Sequence, residues 1–220
     1  MKAKAPLMLV DAVLEPILQR TSRHFEKGSV TEIVAGSAVN CVMLLEAFLG
    51  MRTLDGGSIV LLGENLGTTP ERMLYELRSR VGVYIHGGGL ISNLKAVENV
   101  ALPLLYHSAE SIEAISKKAL RAMGRAGYDN NPFQPPGRLS AAQRASTGLA
   151  RVFAANPEVV LYDRLGDGLP EAERKSLVGL ALDFHQERPG RTTIFLSSHP
   201  DAISGDTSVT VLNLSEGQLS

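Results

Sequence analysis

The 220-residue sequence has a single cysteine, Cys41. That excludes an intramolecular disulfide and suits a reducing compartment. Neither sign of charge is in excess. The formal net charge of −1 excludes the basic footprint that nucleic-acid binding needs. No window approaches 18 uncharged apolar residues, so nothing reads as a membrane span, and membrane contact would run through a protein partner. The start, MKAKAPLMLVDAVLEPILQR, is basic and then apolar like a secretory signal. However, Asp11 and Glu15 interrupt its apolar run and no small-residue cleavage site follows, so no signal is expected. Repeats and low-complexity tracts are missing, aromatics make up only 5%, and the first of them is Phe25. What remains is 44% hydrophobic and 20% charged, the composition of a soluble globular chain with one substantial domain and room for a lobe.

Strand signals open the chain. LMLVDAVL (7–14) and VTEIVA (30–35) are rich in branched and aliphatic residues. VMLLEAFLG (42–50) has the apolar density of a buried helix and stops on a glycine. GGSIVLLGENL reads as turn, strand and turn, PERMLYELRSR as a short helix, and VGVYIH as a strand ending at His86. Residues 87–156 change character. GGGLISN reads as a surface loop, and AVENVALPLLYH as a helix up to Pro103. The segment 108–128 has helical spacing at Ile112, Ile115, Leu120 and Met123. DNNPFQPPG is a proline-rich linker, and SAAQRASTGLARVFAANP a long helix capped by Ser140. Beyond it, the strand VVLYD, the helix EAERKSLVGLALDFHQE, the strand TTIFLSS with His199, and a closing hairpin alternate. Such alternation predicts a mainly parallel sheet with helices packed on it.

One stretch departs from a familiar pattern. In VVLYDRLGDG an apolar strand delivers Asp163, as phosphate-handling α/β proteins present a metal-side acid, yet the next residue is Arg164. The order of strand, tight turn, apolar helix, strand near 86, helical lobe, LSAAQ, VVLYDR and LSSHP resembles the nucleotide-binding subunits of ABC transporters over nearly the whole chain. VGVYIHGGGLISNLKAVENVALPL (81–104) is similar to the corresponding segment in ATPase subunits of Mla/MCE-type bacterial lipid transporters.

The resemblance implies a P-loop NTPase-like ABC ATPase fold: a mainly parallel sheet core, N-terminal antiparallel strands and a helical subdomain. It implies one domain over 1–220, with the α/β core at 1–86 and 157–220 and the helical subdomain at 87–156. It further implies a permease partner, a homodimer or a heterodimer with an active ATPase subunit, and a cytoplasmic position peripheral to the inner membrane.

The departures from the family pattern are concentrated at its chemistry. A phosphate-binding loop needs glycines, a lysine and a hydroxyl. Aligned on Leu44–Leu45, the loop here runs Ala35, Gly36, Ser37, Ala38, Val39, Asn40, Cys41, Val42. Cys41 stands at the lysine and Val42 at the magnesium-binding hydroxyl, while Ala35, Ala38 and Asn40 replace glycines. Charged contacts are worth about 1.5–3 kcal/mol each. Losing two or three would weaken binding by about two to six decades. His86 stands at the family's glutamine. Ser140 and Gln143 keep the signature, with Ala141 and Ala142 at its paired glycines. Arg164 replaces the acid that orients water, and its pKa forbids a role as base. Pro170 replaces a loop aspartate, and no aromatic residue suits adenine stacking.

Read residue by residue, Gly36 and Ser37 are expected to be a strand-to-helix turn rather than the remnant of an anion cradle, Cys41 a small packing residue rather than a reactive thiol, and Asp163 a group that caps or pairs locally rather than a metal ligand. Arg164 is expected to be a built-in cation for Asp163. His86 has no second metal ligand at chelating spacing, and His199 reads as inherited and structural. No metal and no cofactor are expected, with weak ATP or ADP binding left open. Leu90, Ile91 and Leu94 are candidates for a permease-docking groove. Three functions compete: a non-catalytic subunit of a lipid-type transporter, a weak ATPase completed by a partner, and a freestanding interaction protein.

Overall fold

The computed structural model describes residues 5–200, 203 and 208–220; the basic start at 1–4 lies outside the described residues. The chain separates into two compact units. The first comprises Met1–Val81, Glu158–Arg164 and Pro189–Ser220, the second Gly82–Pro157 and Leu165–Arg188. The second unit thus holds the three helices expected of the lobe and also the helix that follows residue 170.

In the first unit, strands β1 (Leu7–Leu14), β2 (Leu18–Phe25), β4 (Gly56–Leu61) and β5 (Glu64–Asn65) form an antiparallel sheet in the order β2-β1-β4-β5. Strand β3 (Val30–Val34) lies between β8 (Thr192–Ser197) and β9 (Val209–Ser215), parallel to both. Strand β7 (Val159–Asp163) pairs parallel with β8, and β10 (Gln218–Leu219) closes antiparallel on β9. Every residue of β3, β7 and β8 is buried, which is why these runs are apolar throughout rather than alternating. Helix α1 (Ala38–Phe48) buries Cys41, Leu44, Leu45 and Phe48 and contacts β7 and β8 on one hand and β4 on the other. Phe48 meets Phe25 of β2 edge-on, with ring centroids 5.9 Å apart.

Strand β2 carries no strand signal in LQRTSRHF. Only Leu18, Thr21 and Phe25 of it are buried, because Arg20 turns left-handed at φ 35° and the β1–β2 register shifts there. A matching kink at Asp11 (φ 46°) resets the inward face of β1 from Leu7 and Leu9 to Ala12 and Leu14.

Helix α2 (Glu71–Ser79) sits against the end of α1, where Arg78 donates to the carbonyls of Leu49 and Gly50. The second unit contains all but the first residue of β6 (Val81–Tyr84), and helices α3 (Ala96–His107), α4 (Ile112–Arg125), α5 (Ala141–Ala155) and α6 (Glu171–Gln186). Two corrections to the sequence reading fall here. Helix α3 runs through Pro103 to His107. The ring removes one backbone bond, but packing on α4 and α5 carries the helix onward. On α4, Ile115 and Met123 are buried as their spacing predicts, whereas Ile112 in the first turn is 78% exposed and Leu120 is exposed too. Phe153 of α5 stacks on Phe184 of α6 at 4.3 Å, with Arg125 over both rings.

Gly57 lies opposite the Asp11 kink at φ 70°, and a Cβ there would stand 2.1 Å from the Asp11 carbonyl oxygen. Gly57→Ala is expected to cost at least about 2 kcal/mol in urea unfolding. Gly137→Ala, at an exposed site with open space around it, is expected to stay within about 0.5 kcal/mol.

Candidate functional site

In the first unit, pairing of Val34 with Ser197 and of Leu196 with Asp163 sets the carboxyl ends of β3, β8 and β7 side by side. Open α/β sheets bind ligands at this edge. Segment 36–42, the Asp163–Arg164 pair and His199 all emerge there.

The segment after β3 is a short, internally bonded turn. The Ala35 N–H donates to the Ser197 carbonyl at 2.7 Å. Gly36 turns left-handed at φ 74°, Ser37 is extended, and α1 begins at Ala38. The Ser37 hydroxyl oxygen accepts the Asn40 N–H at 3.1 Å, and its carbonyl accepts the Cys41 N–H at 3.2 Å. The Asn40 side-chain amide reaches back and donates to the Ala35 carbonyl at 2.7 Å. Cys41 is fully buried, in keeping with a packing residue, while Val39 and Val42 are exposed at 67% and 36%.

At the end of β7 the Asp163 side chain is 1% exposed, and Arg164 grips it with both arms: Nε to Oδ1 at 2.9 Å and Nη2 to Oδ2 at 3.1 Å. Adjacent residues meet this way because Arg164 is left-handed at φ 48° while its N–H donates to the Leu196 carbonyl at 2.9 Å. The expected pairing is therefore present, with fork-to-fork geometry. Next to it in β7, Tyr162 stacks on Phe195 at 4.7 Å. Burial pushes its phenol above the ordinary range, and the charge of Arg191 acts against that rise.

His199 is exposed, its ring 3.2 Å from the Ser198 hydroxyl. Sequence reasoning missed Glu32. This acid is 2% exposed inside β3, where it accepts from the Ser197 hydroxyl at 2.6 Å. Its signal was available as a lone carboxylate inside VTEIV. Among the described residues, no group of three His, Cys, Asp or Glu side chains could hold a metal.

His86, the signature segment and the docking candidates belong to the second unit. His86 does not end a strand: β6 stops at Tyr84 and His86 opens a 3-10 turn, His86–Gly88. The glycines after it form more than a surface loop. A Cβ on Gly88 would stand 2.2 Å from the Arg144 carbonyl oxygen, and one on Gly148 would stand 2.5 Å from the Gly88 Cα. Arg151 donates to the carbonyls of Gly88 and Gly89, both at 2.9 Å. Burial lowers its guanidinium pKa from the ordinary value, with Tyr84 acting the other way.

The buried Asn99 side chain takes the Ile91 N–H at 2.7 Å and donates to the carbonyls of Ile91, Leu94 and Lys95. Its signal was a polar residue within an apolar helical run. Of the docking candidates, Ile91 is exposed and Leu90 and Leu94 are half-buried. Ser140 caps α5 in a reciprocal box with Gln143, its hydroxyl accepting the Gln143 N–H at 3.1 Å and its own N–H donating back at 3.0 Å. Ala141 and Ala142 form the first turn behind it.

Residues 18–164 match the family model described as ABC transporter. The chain belongs to the ABC transporter family. It is 27% identical over 184 residues to the methionine import ATP-binding protein MetN 2 of Pseudomonas entomophila (strain L48), covering 84% of this chain and 54% of that protein. It is 25% identical over 172 residues to the probable ribonucleotide transport ATP-binding protein mkl of Mycobacterium bovis, covering 78% and 47%. The chain thus spans about half the length of these relatives. Among solved structures, the dimeric bacterial ABC transporter cassette MJ0796 superposes with a TM-score of 0.85 at 21% identity, covering 97% of this chain and 96% of that one. CbiO1 of Clostridium perfringens, part of the CbiONQ complex, gives 0.82 at 20%, covering 99% and 88%. These likenesses agree with the ABC ATPase fold class.

Arg164→Glu sets two carboxylates side by side where one was neutralised. It is expected to lower unfolding stability by about 3 kcal/mol, measured by urea denaturation without nucleotide or magnesium, while Lys175→Glu on exposed α6 changes little.

Proposed function

We propose that this ABC-family chain is a non-catalytic subunit, structural or regulatory, of a bacterial membrane transport complex. The observation that carries the reading is the Arg164 fork on Asp163. Both oxygens of the carboxylate that would face a magnesium ion are taken by a fixed cation one residue away. The turn at 36–42 supports the same reading. A magnesium-bound triphosphate asks for free backbone N–H groups, a lysine and a hydroxyl. Here the Asn40 and Cys41 N–H groups are bonded to Ser37, Cys41 is buried, and Val42 has no oxygen. These residues do not fit the group, so no metal and no nucleotide cofactor is assigned.

On this reading the partners are a membrane permease and a second ATPase-type subunit, a copy of this chain or an active one. Ile91, flanked by Leu90 and Leu94, is the proposed permease contact, and the subunit lies on the cytoplasmic side of the inner membrane through those partners. Among the described residues, no helix is long and apolar enough to cross a membrane. The lipid-type reading of the cargo rests on segment 81–104, whereas the relatives carry the names methionine import and ribonucleotide transport.

A second reading, a weak ATPase completed by a partner, is favoured by the intact Ser140–Gln143 capping box at the signature position. Calorimetric titration with ATP and Mg²⁺, together with phosphate release, separates the two. The expected outcome is a Kd weaker than about 0.1 mM, short of the roughly −8 kcal/mol of micromolar binding, and no turnover above buffer. Micromolar affinity with measurable turnover overturns the proposal.

A further inference from the structure

We infer that Asn40 is a latch that holds the turn after β3 shut, so that restoring the missing lysine and hydroxyl alone does not restore phosphate binding. This rests on the reading of the chain as a non-hydrolysing subunit and names the residue that keeps the site closed.

An anion cradle at a helix start works because its backbone N–H groups point outward without partners of their own. In this turn two of those N–H groups, of Asn40 and Cys41, have internal partners. The Asn40 N–H is bonded to the Ser37 hydroxyl at 3.1 Å, and the Asn40 side-chain amide spans from the helix back to the end of the strand, donating to the Ala35 carbonyl at 2.7 Å. The strand end is itself anchored, since the Ala35 N–H donates to the Ser197 carbonyl at 2.7 Å. The side chain thus ties a helix start to a fixed strand end across the residues that would wrap a phosphate. The phosphate-loop pattern places glycine before its lysine, and glycine has no side chain with which to make such a tie. Position 40 therefore does more than lose a glycine's freedom. It supplies the donor that closes the loop, and Ser37 provides the acceptor that a phosphate oxygen would otherwise be.

Hydrogen–deuterium exchange tests the latch in the otherwise native chain. Asn40→Asp keeps the size and the helix-start preference but removes the donor, and Asn40→Gly removes the side chain. Both are expected to speed exchange of the amides at 40 and 41 at least tenfold, with β7 and β8 unchanged. Unaltered exchange at 40 and 41 overturns the proposal.

A binding arm uses Cys41→Lys/Val42→Ser with and without Asn40→Gly, each checked for folding by circular dichroism and titrated calorimetrically with ATP and Mg²⁺. The triple variant is expected to bind at least tenfold more tightly than the double. Equal affinity, including none for either, overturns the proposal. If the variants carrying Cys41→Lys do not fold, the exchange arm decides alone. Tight ATP binding with measurable turnover by the unaltered chain would instead sink the non-hydrolysing reading, which the exchange and variant arms do not measure.

Discussion

A carboxylate at the end of a buried strand has to be neutralised, hydrogen-bonded or expelled, because an unpaired charge in the interior costs several kcal/mol. Asp163 sits in that position, 1% exposed at the end of β7. Its neutralising charge arrives from within the chain: the neighbouring Arg164 turns left-handed and folds its guanidinium back onto both carboxylate oxygens. A non-glycine residue in that backbone region carries strain of order 1–3 kcal/mol. A bidentate pair in a mostly buried setting offsets strain of that size, and the Arg164 N–H, bonded to the Leu196 carbonyl, fixes the turn that makes the pairing possible.

The same logic extends across the sheet edge. Ser37 and Asn40 close the turn after β3 on themselves, Glu32 takes the Ser197 hydroxyl inside β3, and the Ser197 carbonyl anchors Ala35. A site built for a ligand keeps some polar groups poised for it, and that readiness is a standing cost to the empty fold. Here the Asn40 amide groups and both Asp163 carboxylate oxygens are engaged by neighbours in the chain. That arrangement stabilises the fold without a ligand.

Much of this was legible in advance because burial writes itself into strands and helices. LMLVDAVL and VVLYD match β1 and β7 to the residue, and Ser140 caps α5 as its sequence position predicts. The Asp163–Arg164 pairing was also legible, since an isolated acid beside a cation leaves few alternatives. What stayed hidden depends on local backbone geometry or on partners distant in sequence. Strand β2 was illegible because a left-handed Arg20 breaks the alternation that marks a strand. Ile112 kept helical spacing yet faces solvent in the first turn of α4. The triple glycine after His86 read as a loop. Its real constraint, backbone contact with Gly148 and two bonds from Arg151, comes from a helix some 60 residues on.

In the second unit, two polar side chains fix the backbone after β6. Asn99 holds Ile91, Leu94 and Lys95 through four hydrogen bonds, and Arg151 holds Gly88 and Gly89. Segment 86–95 is thus pinned to α3 at one end and α5 at the other. Pinned backbone with an exposed Ile91 makes a surface that a partner can meet without first ordering it, which lowers the conformational cost of association.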